Sequence, residues 1–271
     1  MSTKIYDGDS IVATLGGRRY SKGWSFRCPA HHDRHPSCYL WRNGAIKCYA
    51  GCSHESITTA LAALGFARSV GLQDEPLSRA KLRQDREADI AHANKLWNNY
   101  AYSDDPRYKA VVETYLKARA ITLPVPGNVM RRFGYRGYIV CVQQPDDSIT
   151  AVFTRRFGER GRSYGWMGRG AVKLAPPLDG QLGLAEGVES AMSATELFGV
   201  PCWAVLGCWR LHQIFIPPSV KVLHLFSDND QRGQDALHRA TQVYTIRGVR
   251  VRQRTPIGVN DYNDLLKAQK A

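Results

Sequence analysis

Lys221-Val-Leu-His-Leu-Phe226-Ser-Asp228-Asn-Asp230-Gln-Arg-Gly233 is an apolar run that stops at two carboxylates and a glycine. It predicts a buried strand over 221–226, a tight turn at Gly233 and a helix over 234–246. Upstream, Leu182-Gly-Leu-Ala185 predicts another short buried strand, ended by Glu186-Gly187. Val188 to Phe198 reads as a helix, Cys202–Leu206 as a strand and Val249–Gln253 as a fourth strand. Alternation of this kind implies a parallel sheet with helices on both faces.

In such sheets ligands bind beyond the carboxyl ends of the strands. Glu186 terminates one strand there, and Asp228 and Asp230 terminate another. Residues two apart in an extended segment point the same way, so Asp228 and Asp230 can share one ion. Hard carboxylate oxygens with no His or Cys beside them suit Mg²⁺. Asp261 and Asp264, in Asn260-Asp-Tyr-Asn-Asp264, begin the last helix. Each carboxylate alone could equally be a solvated loop residue or a helix cap. A strand-ending E-G with D-x-D-x-x-G downstream is much more specific.

Working outward, the preceding segment is the most basic of the chain. The whole sequence of 271 residues has 37 Lys+Arg, 24 Asp+Glu and a net charge of +13. Residues 131–180 alone hold 9 basic and 4 acidic side chains. They interleave charge with aromatics: Arg155, Arg156, Arg160, Arg162, Tyr164, Trp166, Arg169 and Lys173. Cations for phosphates and flat rings for bases are what a single-strand groove needs. The alternative is a solvated, Arg-rich hairpin. The charge favours a polyanionic partner, while the apolar runs are far too short for a membrane span. The N-terminus MSTKIYDGDS is no signal peptide, so neither a membrane nor a secreted protein is expected.

At the other end, four of the seven cysteines fall between positions 28 and 52. An odd number without a signal peptide argues against a disulfide framework. Cys28-Pro-Ala-His31 is a C-x2-H knuckle and Cys48-Tyr-Ala-Gly-Cys52 a C-x3-C knuckle. Between them a hairpin, Ser37–Trp41 and Ala45–Cys48 about an Asn43-Gly44 turn, would bring the pairs together. Three thiolates and one imidazole complete a tetrahedral, structural zinc shell. His32, His35 and Cys38 are competing ligands that rank lower: His32 breaks the two-residue spacing and Cys38 sits on the strand. Ser53 can then cap a helix carrying Ile57, Leu61 and Leu64, with Gly65 as its stop. Tyr39, Trp41, Arg42, Lys47 and Tyr49 on this ribbon could clamp single-stranded nucleic acid, or simply cover a small core.

The organisation read from these signals is multidomain α+β. It comprises an N-terminal zinc module (1–66), a linker (67–80), a helical and basic-strand subdomain (81–180) and the parallel-sheet domain (181–271). In the third part, Arg79 to Asn98 reads as a charged helix with Ile90, Ala93 and Trp97 on one face. Asp105-Pro106 opens a second helix through Tyr115 and Leu116. Pro124 and Pro126 close helical structure. Strands Tyr138–Gln143 and Ile149–Arg155 follow, about a turn at Pro145-Asp146-Asp147.

Glu186-Gly187 with Asp228-x-Asp230-x-x-Gly233 resembles the TOPRIM signature of primases, topoisomerases and some nucleases. Cys28-Pro-Ala-His31…Pro36-Ser37…Cys48…Cys52 is similar to the zinc-binding domain of bacterial DnaG-type primases. Cys48-Tyr-Ala-Gly-Cys52 and Leu184-Ala-Glu-Gly-Val-Glu-Ser-Ala191 look like the shorter primases of phages, plasmids and other mobile elements. Two departures stand out: the second knuckle is C-x3-C where cellular primases usually have C-x2-C, and no helicase or helicase-binding region follows.

The resemblance implies a DNA-dependent RNA primase of the bacterial cytoplasm, phage- or plasmid-encoded, working on a single-stranded DNA template with ribonucleoside triphosphates. A replicative helicase would act in trans. Structural Zn²⁺ would sit on Cys28, His31, Cys48 and Cys52. Catalytic Mg²⁺ or Mn²⁺ would sit on Asp228, Asp230 and Glu186, with Asp261 as a further catalytic carboxylate. Glu186 would either complete the metal shell or act as acid/base. Arg155, Arg156, Arg162, Trp166, Arg169, Lys173, Tyr39, Trp41 and Lys47 would hold nucleic acid or nucleotide. A TOPRIM nuclease and a non-catalytic recombination mediator are the rival readings.

Overall fold

The computed structural model describes residues 4–42, 44–66, 69–70, 79–100 and 106–271. It divides into two compact units, Met1–Arg83 and Gln84–Ala271. The expected linker 67–80 lies almost wholly outside the described residues, as do Asn43 of the hairpin turn and Asp105 before the second helix.

In the first unit, β1 (Lys4–Ile5) pairs with β6 (Ser69–Val70). Between them lie α1 (Gly8–Leu15), the antiparallel meander β2 (Gly17–Tyr20), β3 (Gly23–Phe26), β4 (Cys38–Trp41) and β5 (Ile46–Cys48), and α2 (His54–Ala63). Alternation sorts the meander into two faces. Phe26, Cys38, Leu40, Ile46 and Cys48 turn inward onto Ile11, Ile57 and Leu61. Tyr39 stands across from Ser25 and Lys47, and Trp41 across from Gly23, on the opposite face. Asp7 caps α1 through the N–H groups of Asp9 and Ser10, and Ser53 caps α2 through that of Ser56. Of the apolar positions expected on α2, Ile57 and Leu61 are buried but Leu64 is exposed, because the helix has already ended at Ala63. β2, β3 and α1 carry no periodic signal strong enough to read in advance.

The second unit is built on two sheets. α3 (Arg79–Asn99) and α4 (Pro106–Ala118) precede an antiparallel sheet ordered β10-β9-β8-β7. Its strands are β7 (Met130–Arg132), β8 (Gly137–Gln143), β9 (Ile149–Arg156) and β10 (Arg162–Gly165). Chain then enters a parallel sheet ordered β12-β11-β13-β14, made of β11 (Gln181–Ala185), β12 (Cys202–Ala204), β13 (Val222–Phe226) and β14 (Arg250–Arg254). The helices between and after are α5 (Val188–Phe198), α6 (Gln231–Ile246) and α7 (Tyr262–Lys270).

Both faces of β11, β12 and β13 are largely apolar, which is why these strands read as hydrophobic runs, whereas the edge strand β14 alternates arginine with Val251 and Gln253. Leu182, Leu184, Trp203, Leu223 and Leu225 pack towards Ala236, Ala240 and Tyr244 of α6. Ala185, Cys202, Ala204 and Phe226 pack towards α5 and α7, in a core shared with Tyr138, Val140 and Val142 of the antiparallel sheet. The segment between the sheets joins them: Ala171 bridges to Gln143 and Val172 bridges to Ala204. Among the described residues no helix is long and apolar enough to cross a membrane.

A carboxylate site at the strand ends and a cysteine–histidine cluster

Four carboxylates gather where the parallel strands end. Glu186 follows β11, and Asp228 follows β13 by two residues. Asp230 is the N-cap of α6 and accepts from the Gly233 N–H at 2.7 Å. Asp261 is the N-cap of α7 and accepts from the Asp264 N–H at 2.8 Å. The loops bearing them are tied together. The Asn229 N–H donates to the Asn260 carbonyl at 2.8 Å, and the Ser227 N–H to the Arg254 carbonyl at 3.1 Å. Gly233 has a steric reason to be glycine: a Cβ there would lie 2.2 Å from the Asp228 carbonyl oxygen.

Among the described residues only Cys28, His31, Cys48 and Cys52 bring three or more ligand atoms within metal-sharing distance; the carboxylates act on one another through burial and repulsion. Burial pushes the Asp228 carboxyl up to about 7, and Glu186, Asp261 and Asp230 add repulsion. Its Oδ1 is buried without a hydrogen-bond partner. Burial also raises Glu186, with Asp230 contributing, while the N–H and thiol of Cys208 pull the other way. A buried acceptor with an open lone pair among like charges fits a divalent hard cation. Asp228, Asp230 and Glu186 are the residues that would hold it.

The other predicted centre lies in the first unit. The ligand atoms of Cys28, His31, Cys48 and Cys52 all fall within 4.8 Å of one another. His31 Nδ1 lies 3.2 Å from Cys52 Sγ and 4.0 Å from Cys48 Sγ. These spacings and this donor set fit tetrahedral zinc. Cys38, on β4 opposite Cys48, is buried beside the cluster but outside it.

Asp33 organises the knuckle and gave no signal in the sequence. It accepts from the N–H groups of Cys28 at 2.8 Å and Ser37 at 3.1 Å and from the Ser37 hydroxyl. It also faces His31 Nε2 at 3.8 Å, the ring nitrogen turned away from the thiols. A carboxylate behind a ligating imidazole fixes its tautomer and orientation.

The basic residues separate into two groups. Arg155 is drawn into a buried network: Glu189, on the first turn of α5, pairs with it at 3.3 Å. Glu189 also accepts from Tyr115 at 2.7 Å and Tyr138 at 3.1 Å. Lys173 pairs with Asp147 and donates to the Gln144 carbonyl. Arg156, Arg162, Trp166 and Arg169 are exposed, with Arg86 stacked 4.6 Å over Trp166 and Arg169 5.3 Å over Phe215. On the meander, Tyr39 and Trp41 lie 4.9 Å apart, and Lys47 sits 5.4 Å over Tyr49.

Arg210 is a further residue the sequence did not mark. It is 1% exposed, and among the described residues no carboxylate faces it. Its guanidinium donates to the carbonyls of Val205, Met167, Gly168 and Gly170. The loop holding Cys208 against Glu186 is thereby fastened to the loop following Trp166.

Residues 181–271 match the model of the Toprim domain, so the carboxylates occupy a recognised module. Several solved structures align with the chain at low similarity. The DnaG primase catalytic domain bound to ssDNA is 13% identical, over 69% of this chain and 79% of that one, with a TM-score of 0.49. The zinc-binding and RNA polymerase domains of the Aquifex aeolicus primase are 16% identical, over 96% and 79%, at 0.39. The primase fragment of the bacteriophage T7 primase-helicase protein is 12% identical, over 89% and 96%, at 0.43. No curated protein matches the chain in sequence.

Proposed function

We propose that the chain is a DNA-dependent RNA primase: a nucleotidyltransferase that makes short RNA primers on single-stranded DNA. The observation that carries this reading is the half-buried Asp228 carboxylate, its Oδ1 enclosed and unpartnered and the group crowded by Glu186, Asp261 and Asp230. A divalent cation would relieve that crowding, and the Toprim match describes the segment that carries the group. Mg²⁺ or Mn²⁺ held by Asp228, Asp230 and Glu186 would supply neutralisation of the triphosphate charge during nucleotidyl transfer. Glu186, its carboxyl raised by burial and steadied by Cys208, is suited to take up a proton from the attacking 3′-hydroxyl or to complete the cation's shell. Asp261 deepens the negative field on Asp228 from the far loop.

Exposed Arg156, Arg162, Arg169 and Trp166 would hold the template and nucleotide phosphates. The meander aromatics Tyr39 and Trp41, with Lys47, would stack on template bases near the start site. Zn²⁺ on Cys28, His31, Cys48 and Cys52 would hold that platform rigid. Arg155 and Lys173 belong to the scaffold beneath, since each already has a carboxylate partner. The setting we propose is the bacterial cytoplasm, on behalf of a phage, plasmid or other mobile element, with a replicative helicase as a partner.

The test is to incubate the protein with unprimed single-stranded DNA, labelled ribonucleotides and Mg²⁺ or Mn²⁺. New short RNA, abolished by Asp228→Asn, is the expected product. Shortening of the template would assign a nuclease instead, and a mobility shift alone a binding protein.

A further inference from the structure

The Toprim segment 181–271 is nearly balanced in sequence, with 10 basic and 8 acidic side chains, yet the fold separates its charges. Glu186, Asp228, Asp230 and Asp261 lie at the site, Glu189 is buried, Glu196 and Asp264 are paired with Lys270 and Lys267, and Asp235 stands exposed on α6, accepting from Gln231. Apart from buried Arg210, the arginines are left towards the outside. β14 reads Arg250-Val-Arg252-Gln-Arg254, and alternation sends all three guanidiniums to one side of the sheet. Val251 and Gln253 turn the other way, Val251 into the apolar core under α6 and Gln253 onto Thr241. β14 is the edge strand, paired among the described residues with β13 alone.

This row has a direction. Arg254 pairs in register with Phe226, two residues before Asp228, and its carbonyl holds the Ser227 N–H. Its guanidinium donates to His224 at 3.1 Å and lies 4.6 Å over Phe198. The Tyr262 hydroxyl feels both Arg254 and Asp228. From that end, exposed Arg252 and Arg250 descend the edge at two-residue steps, about 6.7 Å each. The row therefore begins beside the carboxylates and runs away from them.

We infer that β14 is a phosphate track for a nucleic-acid duplex leaving the carboxylate site. A line of guanidiniums suits successive phosphates of one strand. Among the described residues the edge offers little for base stacking: Phe198 is 37% exposed but carries the Arg254 guanidinium over its ring, and Phe226 is buried. Single strands are held by stacking as well as charge, so a track of cations alone suits bases that are already paired. The inference deepens the primase reading, for which the duplex would be the primer–template hybrid, but its test needs no catalysis.

The full chain is titrated with a labelled RNA–DNA hybrid and with single-stranded DNA of the same length, across a range of salt concentrations. Arg250→Ala/Arg252→Ala should weaken hybrid binding and lower the salt slope of log K by about 1.8, two contacts at about 0.9 each. Single-strand affinity should stay unchanged, and Arg250→Lys/Arg252→Lys should restore most of the slope. A matched thermal unfolding curve excludes misfolding as the cause. If hybrid affinity and slope are unchanged, the arginines merely blunt a sheet edge against unwanted pairing and the track is refuted. If single-strand affinity falls as much as hybrid affinity, the duplex assignment is refuted. Loss of the track with primer synthesis intact, or the reverse, separates this inference from the proposed activity.

Discussion

Asp228 carries the clearest single-residue consequence. Its folded pKa, about 7, lies well above that of an exposed carboxyl, because of burial and then Glu186, Asp261 and Asp230. The folded state therefore binds the proton more tightly than the unfolded chain. Between the unfolded pKa, about 4, and about 7, the contribution of Asp228 to stability falls as pH rises, while His224, held down to about 4 by burial, contributes in the opposite sense. The denaturant midpoint of the wild type minus that of Asp228→Asn, in buffer free of added Mg²⁺, should therefore decline over that window. Asp228→Asn should raise the midpoint above pH 7, and Mg²⁺ should raise it for the wild type only. Glu189→Ala would strand the Arg155 guanidinium and two tyrosine hydroxyls, at a cost of about 3–5 kcal/mol in urea unfolding. Glu186, Asp228 and Asp230 were legible because a strand end followed by a carboxylate is a local pattern. Glu189 and Arg210 were not, because their partners lie on other elements: Tyr115, Tyr138 and Arg155 for one, and a distant loop for the other.

At the level of the element, the first turn of α6 joins helix geometry to the site. Asp230 caps it, and Gly233 lets the turn sit against the Asp228 backbone. Gly233→Ala would place a methyl group against backbone, which cannot swing aside as a side chain can. We expect about 1–3 kcal/mol of destabilisation and a larger loss of divalent-cation affinity, read by isothermal titration. The parallel strands and their helices were readable in the sequence because apolar runs and helical periods alternate there without interruption. β2, β3, β7 and β10 were not: they are three or four residues long and mix polar or charged with apolar positions. Pairing with neighbours makes them strands. The longer helix α3 was legible from Ala93 and Trp97, both of which are buried.

For the molecule as a whole, the two units differ in what holds them. Among the described residues, Gln84–Ala271 has two large apolar clusters, whereas Met1–Arg83 has one of ten buried apolar residues, three of them the cysteines Cys28, Cys38 and Cys48. A core so small should lean on a metal held by the cysteine–histidine cluster. Stripping zinc with a chelator should abolish the protease resistance of the first unit. The second should keep its cooperative unfolding transition, followed by circular dichroism and limited proteolysis. Retention of both would show that the cysteine–histidine cluster is not a structural support.

The segment stitched between the two sheets sets one more property of the second unit. Ala171 and Val172 each pair with a different sheet, and Arg210 binds the neighbouring carbonyls from beneath. Swinging one sheet against the other would break those pairings and leave a charged group stranded in the interior. The sheets therefore have no hinge. The gap between the exposed arginines and the carboxylates is a fixed gauge, and adjustment to an incoming molecule must come from side chains.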